Sequence, residues 1–486
     1  LKVKELAMNE NKSIHMSSKE FREYGYSVID WIADYYDEIE KYPVKSQVSP
    51  GDIRSSLKKN PPKYGESMET ILKDIDRVIM PGITHWQSPM FFGYFPTNTS
   101  GPSILADLIS SGLGVNGMLW ETSPSCTELE THVLDWLVDM LNLPNDFKSI
   151  NKGGGVIQDT ASSASLCAMI AARERKNRGK SNLFGLRDNF IVYISSETHS
   201  SIEKAAMISG IGSKNVRCIE VDDGFSMDVS SLKKQIKKDI SDGHIPFFVC
   251  ATIGTTSSTG IDSVKEIGKI CDQYDLWMHV DAAMAGTASL CPEYQYIQEG
   301  INYADSYLFN PHKWMLTNFD CSCLFIKSRD ALTSALEILP EYLKTESSIK
   351  DKVTDYRDWQ IPLGRRFRAL KLWSVIRYYG TNGLQNYIRN HIELAQHFFR
   401  YVKNDNRFEI MAPAPLNLVC FRAKGDDDLN QALLKYINDS GKILMTHTKL
   451  KNSFTLRFCV GQTHTNMSHI KLAWHLITDG LDKVIK

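Results

Sequence analysis

Beyond about residue 150 the chain alternates short apolar runs with amphipathic stretches. The runs at 189–195 (NFIVYIS), 216–221 (VRCIEV), 246–254 (PFFVCATIG), 276–283 (LWMHVDAA) and 306–310 (SYLFN) have strand length and strand-forming content. Between them, HSSIEKAAMISG and VKEIGKICDQYD place apolar residues at helical spacing. This alternation predicts βαβ units and a mainly parallel sheet covered by helices. The first hundred residues follow a different pattern. SSKEFREYGYSVIDWIADYYDEIEKY offers Ser17 and Ser18 as helix caps and a stripe of Val28, Ile29, Ile32, Tyr35 and Tyr36, before the breakers YPVKSQVSPGD and KNPPKYGE. An amphipathic arm without strands needs another surface to cover its stripe, which points to a subunit contact. After about 370, RALKLWSVIRYYG opens a region of helices and short strands, such as LNLVCFRA and FTLRFCVG, expected to form a smaller α+β unit.

Composition narrows the function classes. The 486 residues carry 56 Lys+Arg against 57 Asp+Glu, so no global field draws in nucleic acid or an anionic membrane, and a small-molecule ligand is expected. No apolar run approaches membrane-spanning length and the first residues lack the apolar core of a leader, so the expectation is a cytoplasmic protein. The ten cysteines are scattered in apolar surroundings and read as reduced core thiols. Cys321 and Cys323 alternate along a strand with no second ligand pair, so no metal site is expected.

In a parallel sheet, ligands bind beyond the carboxyl ends of the strands. Those ends carry His199, Thr252 and Thr255, Asp281, and His312 with Lys313. For an isolated aspartate there, a helix cap or an ion pair is the better explanation. An isolated glycine-rich turn before a helix, as KGGGVIQDTASSAS reads, is weak evidence for an anion cradle. Together, one lysine, one strand-end carboxylate, a histidine and a helix start that could cradle phosphate fit pyridoxal 5'-phosphate, which needs an amine, a partner for its ring nitrogen and a phosphate site.

At these residues the chain resembles the group II pyridoxal phosphate-dependent decarboxylases, and within them the aromatic-L-amino-acid decarboxylases. The ordered segments HWQSPMFFGYFPT, SPSCTELE, GGGVIQDTASSAS, HSSIEKA, ATIGTT, HVDAA, NPHKW and DWQIPLGRRFRALKLW carry the resemblance over nearly the whole chain. It implies a type I pyridoxal phosphate (aspartate aminotransferase-like) α/β fold. A mainly parallel seven-stranded sheet would lie in a large cofactor domain (100–370), between a helical dimerisation arm (1–99) and a small α+β domain (371–486). It further implies a homodimer with the active site at the interface, acting on aromatic amino acids and contacting neither nucleic acid nor membrane.

Carried over by residue, the resemblance makes Lys313 the cofactor lysine, Asp281 the partner of the ring nitrogen and His199 the residue stacked on the ring. Ala161, Ser162, Asn310 and His312 become phosphate contacts, and Thr252 lies against the ring. Trp86, Tyr94, Phe95, Pro96 and Gly364 fall on the substrate side, with Met118 contributed across the dimer. The polar stretch EILPEYLKTESSIKDKVTDYRDWQ reads as a solvated, mobile loop of the kind that serves as a lid. There the resemblance makes Tyr342 the proton donor and leaves Tyr356 structural. Tyrosine rather than phenylalanine at 342 favours simple decarboxylation of tryptophan, 5-hydroxytryptophan, DOPA, tyrosine or phenylalanine. The alternatives are an aldehyde synthase, which also releases ammonia and peroxide, or an inactive cofactor-binding paralogue. Asp159 and Ser163 stand where relatives often have Gly and Glu, and Met118 where they often have Phe. The segment GMLWETSPSCTELETHVLDWL is expected to mark a bacterial-like member.

Overall fold

The computed structural model describes residues 15–338 and 353–486. Seven strands form one sheet: β1 (Gly154–Gln158), β2 (Phe190–Ser195), β3 (Val216–Ile219), β4 (Ile245–Thr252), β5 (Trp277–Asp281), β6 (Ser306–Phe309) and β7 (Ser322–Ile326), in the order β1-β7-β6-β5-β4-β2-β3. The pairs β3-β2, β2-β4, β4-β5 and β5-β6 are parallel, and β7 runs antiparallel to both its neighbours. Every residue of β1, β2, β5, β6 and β7 is buried, because helices cover both faces. That double cover is why the strands read as unbroken apolar runs rather than as alternating ones.

Gly153 to Gly155, read as a turn, lead into and begin a buried edge strand. A Cβ at Gly153 would lie 2.1 Å from the Asp146 carbonyl oxygen, and one at Gly154 2.8 Å from the Trp359 ring. The glycines permit close packing; a turn at residues 149–152 precedes them, and a bend at Asp159 leads from the strand to the helix start.

A second sheet, β8 (Phe408–Ile410), β9 (Leu418–Ala423), β10 (Thr446–Leu450) and β11 (Ser453–Cys459), is antiparallel throughout in the order β10-β11-β9-β8. A long helix, Arg368–Asn404, links the two sheets and breaks at Gly380, whose φ of 63° glycine adopts without strain. The small core stacks Phe398 on Phe458 (ring centroids 3.7 Å) and Phe458 on Phe92 (4.0 Å). Phe92 is held by backbone bonds on both sides: its N–H donates to Leu444 O (2.8 Å) and its carbonyl accepts the Cys459 N–H (3.0 Å). The stretch around 90–92 is therefore stitched to the small sheet, and the chain then runs directly to Phe95.

The arm helix Ser18–Asp37 starts at a Ser17–Glu20 capping box and buries none of its residues fully. Phe21, Tyr26 and Ile29 are exposed on it, as are Leu105, Leu108, Ile109 and Leu113 on the helix Gly101–Leu113. Among the described residues no helix is long and apolar enough to cross a membrane.

Candidate active site

The register sets Thr252 beside Asp281 and Asp281 beside Leu308, so β4, β5 and β6 end level with one another. A cavity of about 210 Å³ opens beyond those ends. Thr252 and Asp281 line it from the strand tips. Asp281 is 4% exposed and accepts the Ala283 N–H at 3.0 Å. The Thr252 hydroxyl is shielded from solvent and meets no hydrogen-bond partner. Behind it, the Thr252 N–H donates to Asp262 (2.7 Å), a carboxyl that burial pushes up to about 6.

A second wall is the start of the helix Ala161–Asn177, where Thr160, Ala161 and Ser162 face the cavity. Its first helical bond runs from the Ala164 N–H to Thr160 O, which leaves the preceding N–H groups without helical acceptors. Aligned peptide dipoles add partial positive charge at this end, so it suits an anion. Asp159 accepts the Thr160 N–H at 2.7 Å and does not line the cavity.

The third wall follows β6. Asn310 accepts the Ser322 hydroxyl on its carboxamide oxygen (2.6 Å), which turns its amide nitrogen the other way. His312 accepts the Cys321 N–H on Nδ1 (2.9 Å), so its ring proton lies on Nε2. Burial, with help from the Lys313 charge, pulls His312 down to about 3 and keeps it neutral. Lys313 lies on the single helical turn Pro311–Trp314. Its side chain keeps some accessible surface because it faces the cavity, yet it lies deep in the protein. Burial lowers its amine below the ordinary 10.5, while Asp281 and Cys459 pull the other way. The amine stands 5.4 Å from the centroid of the Phe95 ring.

His199, just after β2, is open at the cavity rim and backed by protein, and that backing lowers its pKa below 6.5 against the pull of Asp281. The Ser201 N–H donates to its Nδ1 (3.2 Å), so the neutral ring carries its proton on Nε2.

Of the described residues around the cavity, Lys313 is the one amine and Asp281 the one carboxylate. An unpartnered buried hydroxyl, a helix start and a lowered lysine fit a flat, anionic, carbonyl-bearing cofactor. Thr160, Ser201 and Thr256 also line the cavity. They lie inside the recognised motifs, but nothing in their residue type singled them out.

The substrate-side expectations divide. Phe95 lines the cavity. Trp86 and Tyr94 stack on each other (5.5 Å, 16°) and Pro96 is buried against Gly461, and none of these three lines the cavity. Gly364 and Met118 belong to a separate patch: the Arg365 N–H donates to Asn116 (2.9 Å), the Gly117 N–H to Arg365 O (3.1 Å) and the Arg357 N–H to Met118 O (3.1 Å). Neither residue lines the cavity of its own chain. Tyr342 lies outside the described residues, while Tyr356 is buried with its hydroxyl 2.9 Å from Thr131 Oγ1. Cys321 and Cys323 are buried free thiols, and the described residues contain no cluster of three metal-ligating side chains.

Residues 50–424 match the model of the pyridoxal-dependent decarboxylase conserved domain. The chain belongs to this family. It is 46% identical to aromatic-L-amino-acid decarboxylase of Mus musculus, covering 97% of this chain and 99% of that one. It is also 46% identical to phenylacetaldehyde synthase of Arabidopsis thaliana, covering 96% of each. Among solved structures, Oryza sativa TDC with PLP and tryptamine superposes with a TM-score of 0.95 at 37% identity, covering 98% of this chain and all of that one. The family's cofactor is pyridoxal phosphate. The expectation of a bacterial-like member finds no support, since these relatives are plant and animal enzymes.

Proposed function

We propose that the chain decarboxylates aromatic L-amino acids, releasing CO2 and the aromatic amine from tryptophan, 5-hydroxytryptophan, DOPA, tyrosine or phenylalanine. The observation that carries this reading is the cavity in which a buried lysine, a strand-end aspartate and a helix start face one another. When bound, pyridoxal phosphate supplies an aldehyde for amine condensation and a protonated ring that draws electrons from a bond at the substrate's Cα. Lys313 anchors it, with an amine made more nucleophilic by burial. Asp281 keeps the ring nitrogen protonated, and the neutral His199 packs over the ring. The N–H groups at Ala161 and Ser162, with Asn310 and His312, take the phosphate, and the Thr252 hydroxyl gains the partner the protein withholds. Trp86, Tyr94 and Phe95 would offer an aromatic surface to the substrate side chain, with Pro96 packed behind them.

A homodimer completes the site in this reading. Two helices expose apolar residues that a second copy would cover, and Met118 and Gly364 would serve the partner's cavity, having no place in their own. Tyr342 is the residue we assign to return a proton to the substrate's Cα. Aldehyde synthesis is the second reading, favoured by the 46% identity to phenylacetaldehyde synthase. A product assay over the five amino acids separates the two. Amine equal to CO2, with visible absorption and turnover both lost in Lys313→Ala, is the expected result. Peroxide and ammonia equal to CO2 would establish the second reading, and no turnover by cofactor-loaded protein would remove both.

A further inference from the structure

Lys313 rides on a helical turn of four residues, and so short a helix has little stability of its own. The turn is tied at two points to one distant helix. Trp314, the residue after the lysine, donates its indole N–H to His391 Nδ1 at 3.0 Å, and both side chains are wholly buried. His312, the residue before the lysine, accepts on its carbonyl the N–H of Asn98 (3.1 Å). The Asn98 carboxamide in turn accepts the Tyr387 hydroxyl (3.0 Å) and donates to Gly461 O (2.5 Å). Tyr387 and His391 are four residues apart on the helix beyond the Gly380 break, so they share a face, with ring centroids 4.3 Å apart.

Space-filling alone does not explain this arrangement. A buried indole N–H needs an acceptor, and a protonated imidazole could not be one. Burial holds His391 down to about 3, so it stays an acceptor at any working pH. Asn98 likewise spends its backbone N–H, its carboxamide oxygen and its amide nitrogen on one junction between the lysine turn, the long helix and the loop after β11.

We propose that His391 and Tyr387 are positioning residues for Lys313, acting through Trp314 and Asn98 to fix the turn that presents the amine to the cavity. This rests on Lys313 being the cofactor's anchor. Reaction rates fall steeply when a reacting group is misplaced by about 1 Å, so loosening the turn lowers turnover without removing a binding contact.

The experiment compares His391→Leu with His391→Asn in the full-length holoenzyme, because asparagine can offer an oxygen near the position of Nδ1. His391→Leu is expected to lower kcat by about 10-fold with KM within about twofold. It should also move the pH midpoint of the cofactor's visible absorption, and His391→Asn should restore most of both. Trp314→Phe should match His391→Leu, and the double variant should be no worse than either single one. Tyr387→Phe, which removes one hydroxyl and is the variant safest for folding, should lower kcat and shift the same midpoint. Wild-type kcat and midpoint in both His391→Leu and Tyr387→Phe would overturn the proposal, as would an equal loss in His391→Leu and His391→Asn. If the leucine variant does not fold, Tyr387→Phe with wild-type kcat and midpoint overturns it alone. Visible absorption that survives in Lys313→Ala would instead remove the anchor reading, whatever the His391 variants do.

Discussion

Thr252 and Asp281 are register partners at the ends of adjacent parallel strands, yet the aspartate has a protein hydrogen bond and the threonine hydroxyl has none. A buried hydroxyl left unpaired costs about 1–3 kcal/mol. Thr252→Val should therefore leave the cofactor-free protein as stable as the wild type or more so, and weaken cofactor binding several-fold. Thermal melting with and without pyridoxal phosphate reads both effects. A cofactor-free variant that melts well below the wild type would mean the hydroxyl already has a partner.

Glu130 and Arg365, from the motifs SPSCTELE and PLGRRF, form an ion pair with side chains 5% and 1% exposed. The carboxylate also accepts the Ile157 N–H (2.8 Å), and the guanidinium reaches Gln360 (3.0 Å) and Ile157 O (3.2 Å). Removing one partner of a buried pair strands the other charge and costs about 3–5 kcal/mol. Glu130→Ala should lose stability on that scale in urea unfolding. A loss below about 1 kcal/mol would show that water reaches the pair.

His279 is wholly buried between Ser165 Oγ (3.2 Å) and Ser306 Oγ (2.8 Å), and burial holds it down to about 4 against the pull of Asp281. An unfolded histidine titrates near 6.5. Between about 6.5 and 4 the unfolded chain therefore binds a proton the folded chain refuses, and stability falls with falling pH by up to about 1.4 kcal/mol per unit. Above that window the site contributes no pH dependence. His279→Gln should flatten the stability-against-pH curve there by about one proton. Urea unfolding across the window measures the slope, and identical slopes would mean His279 is protonated in the fold.

Tyr342→Phe should shift the product from amine towards aldehyde, with ammonia and peroxide, while cofactor absorption stays intact. A parallel assay of amine and peroxide decides it. A variant that makes only amine assigns the proton to another group.

Much of the fold was legible because helices bury both faces of the main sheet, which turns its parallel strands into continuous apolar runs. The expected runs at 189–195, 246–254 and 306–310 meet β2, β4 and β6 within two residues at each end. The edge strand β1 was not legible, because its opening glycines carry a turn's composition. They serve instead to let the Asp146 carbonyl and the Trp359 ring approach closely, which is a tertiary demand. The substrate side divided for a similar reason. Phe95 reaches the cavity because Phe92, three residues earlier, is pinned to the small sheet, a pairing over some 350 residues that local pattern cannot carry.

The sequence by itself determined which chemical groups are present and that they fall at strand ends, since strand periodicity and residue type are local properties. It therefore named Lys313, Asp281, His199 and the helix start at Ala161. Only the tertiary structure decided how those groups are held. It set the Thr252 hydroxyl without a partner, and it tied the lysine turn through Trp314 to a histidine 78 positions beyond Lys313. It also gathered Met118 and Gly364 into a patch apart from their own cavity. Hydrogen-bond satisfaction and close packing depend on distances between segments remote in the chain, and no local pattern encodes those distances.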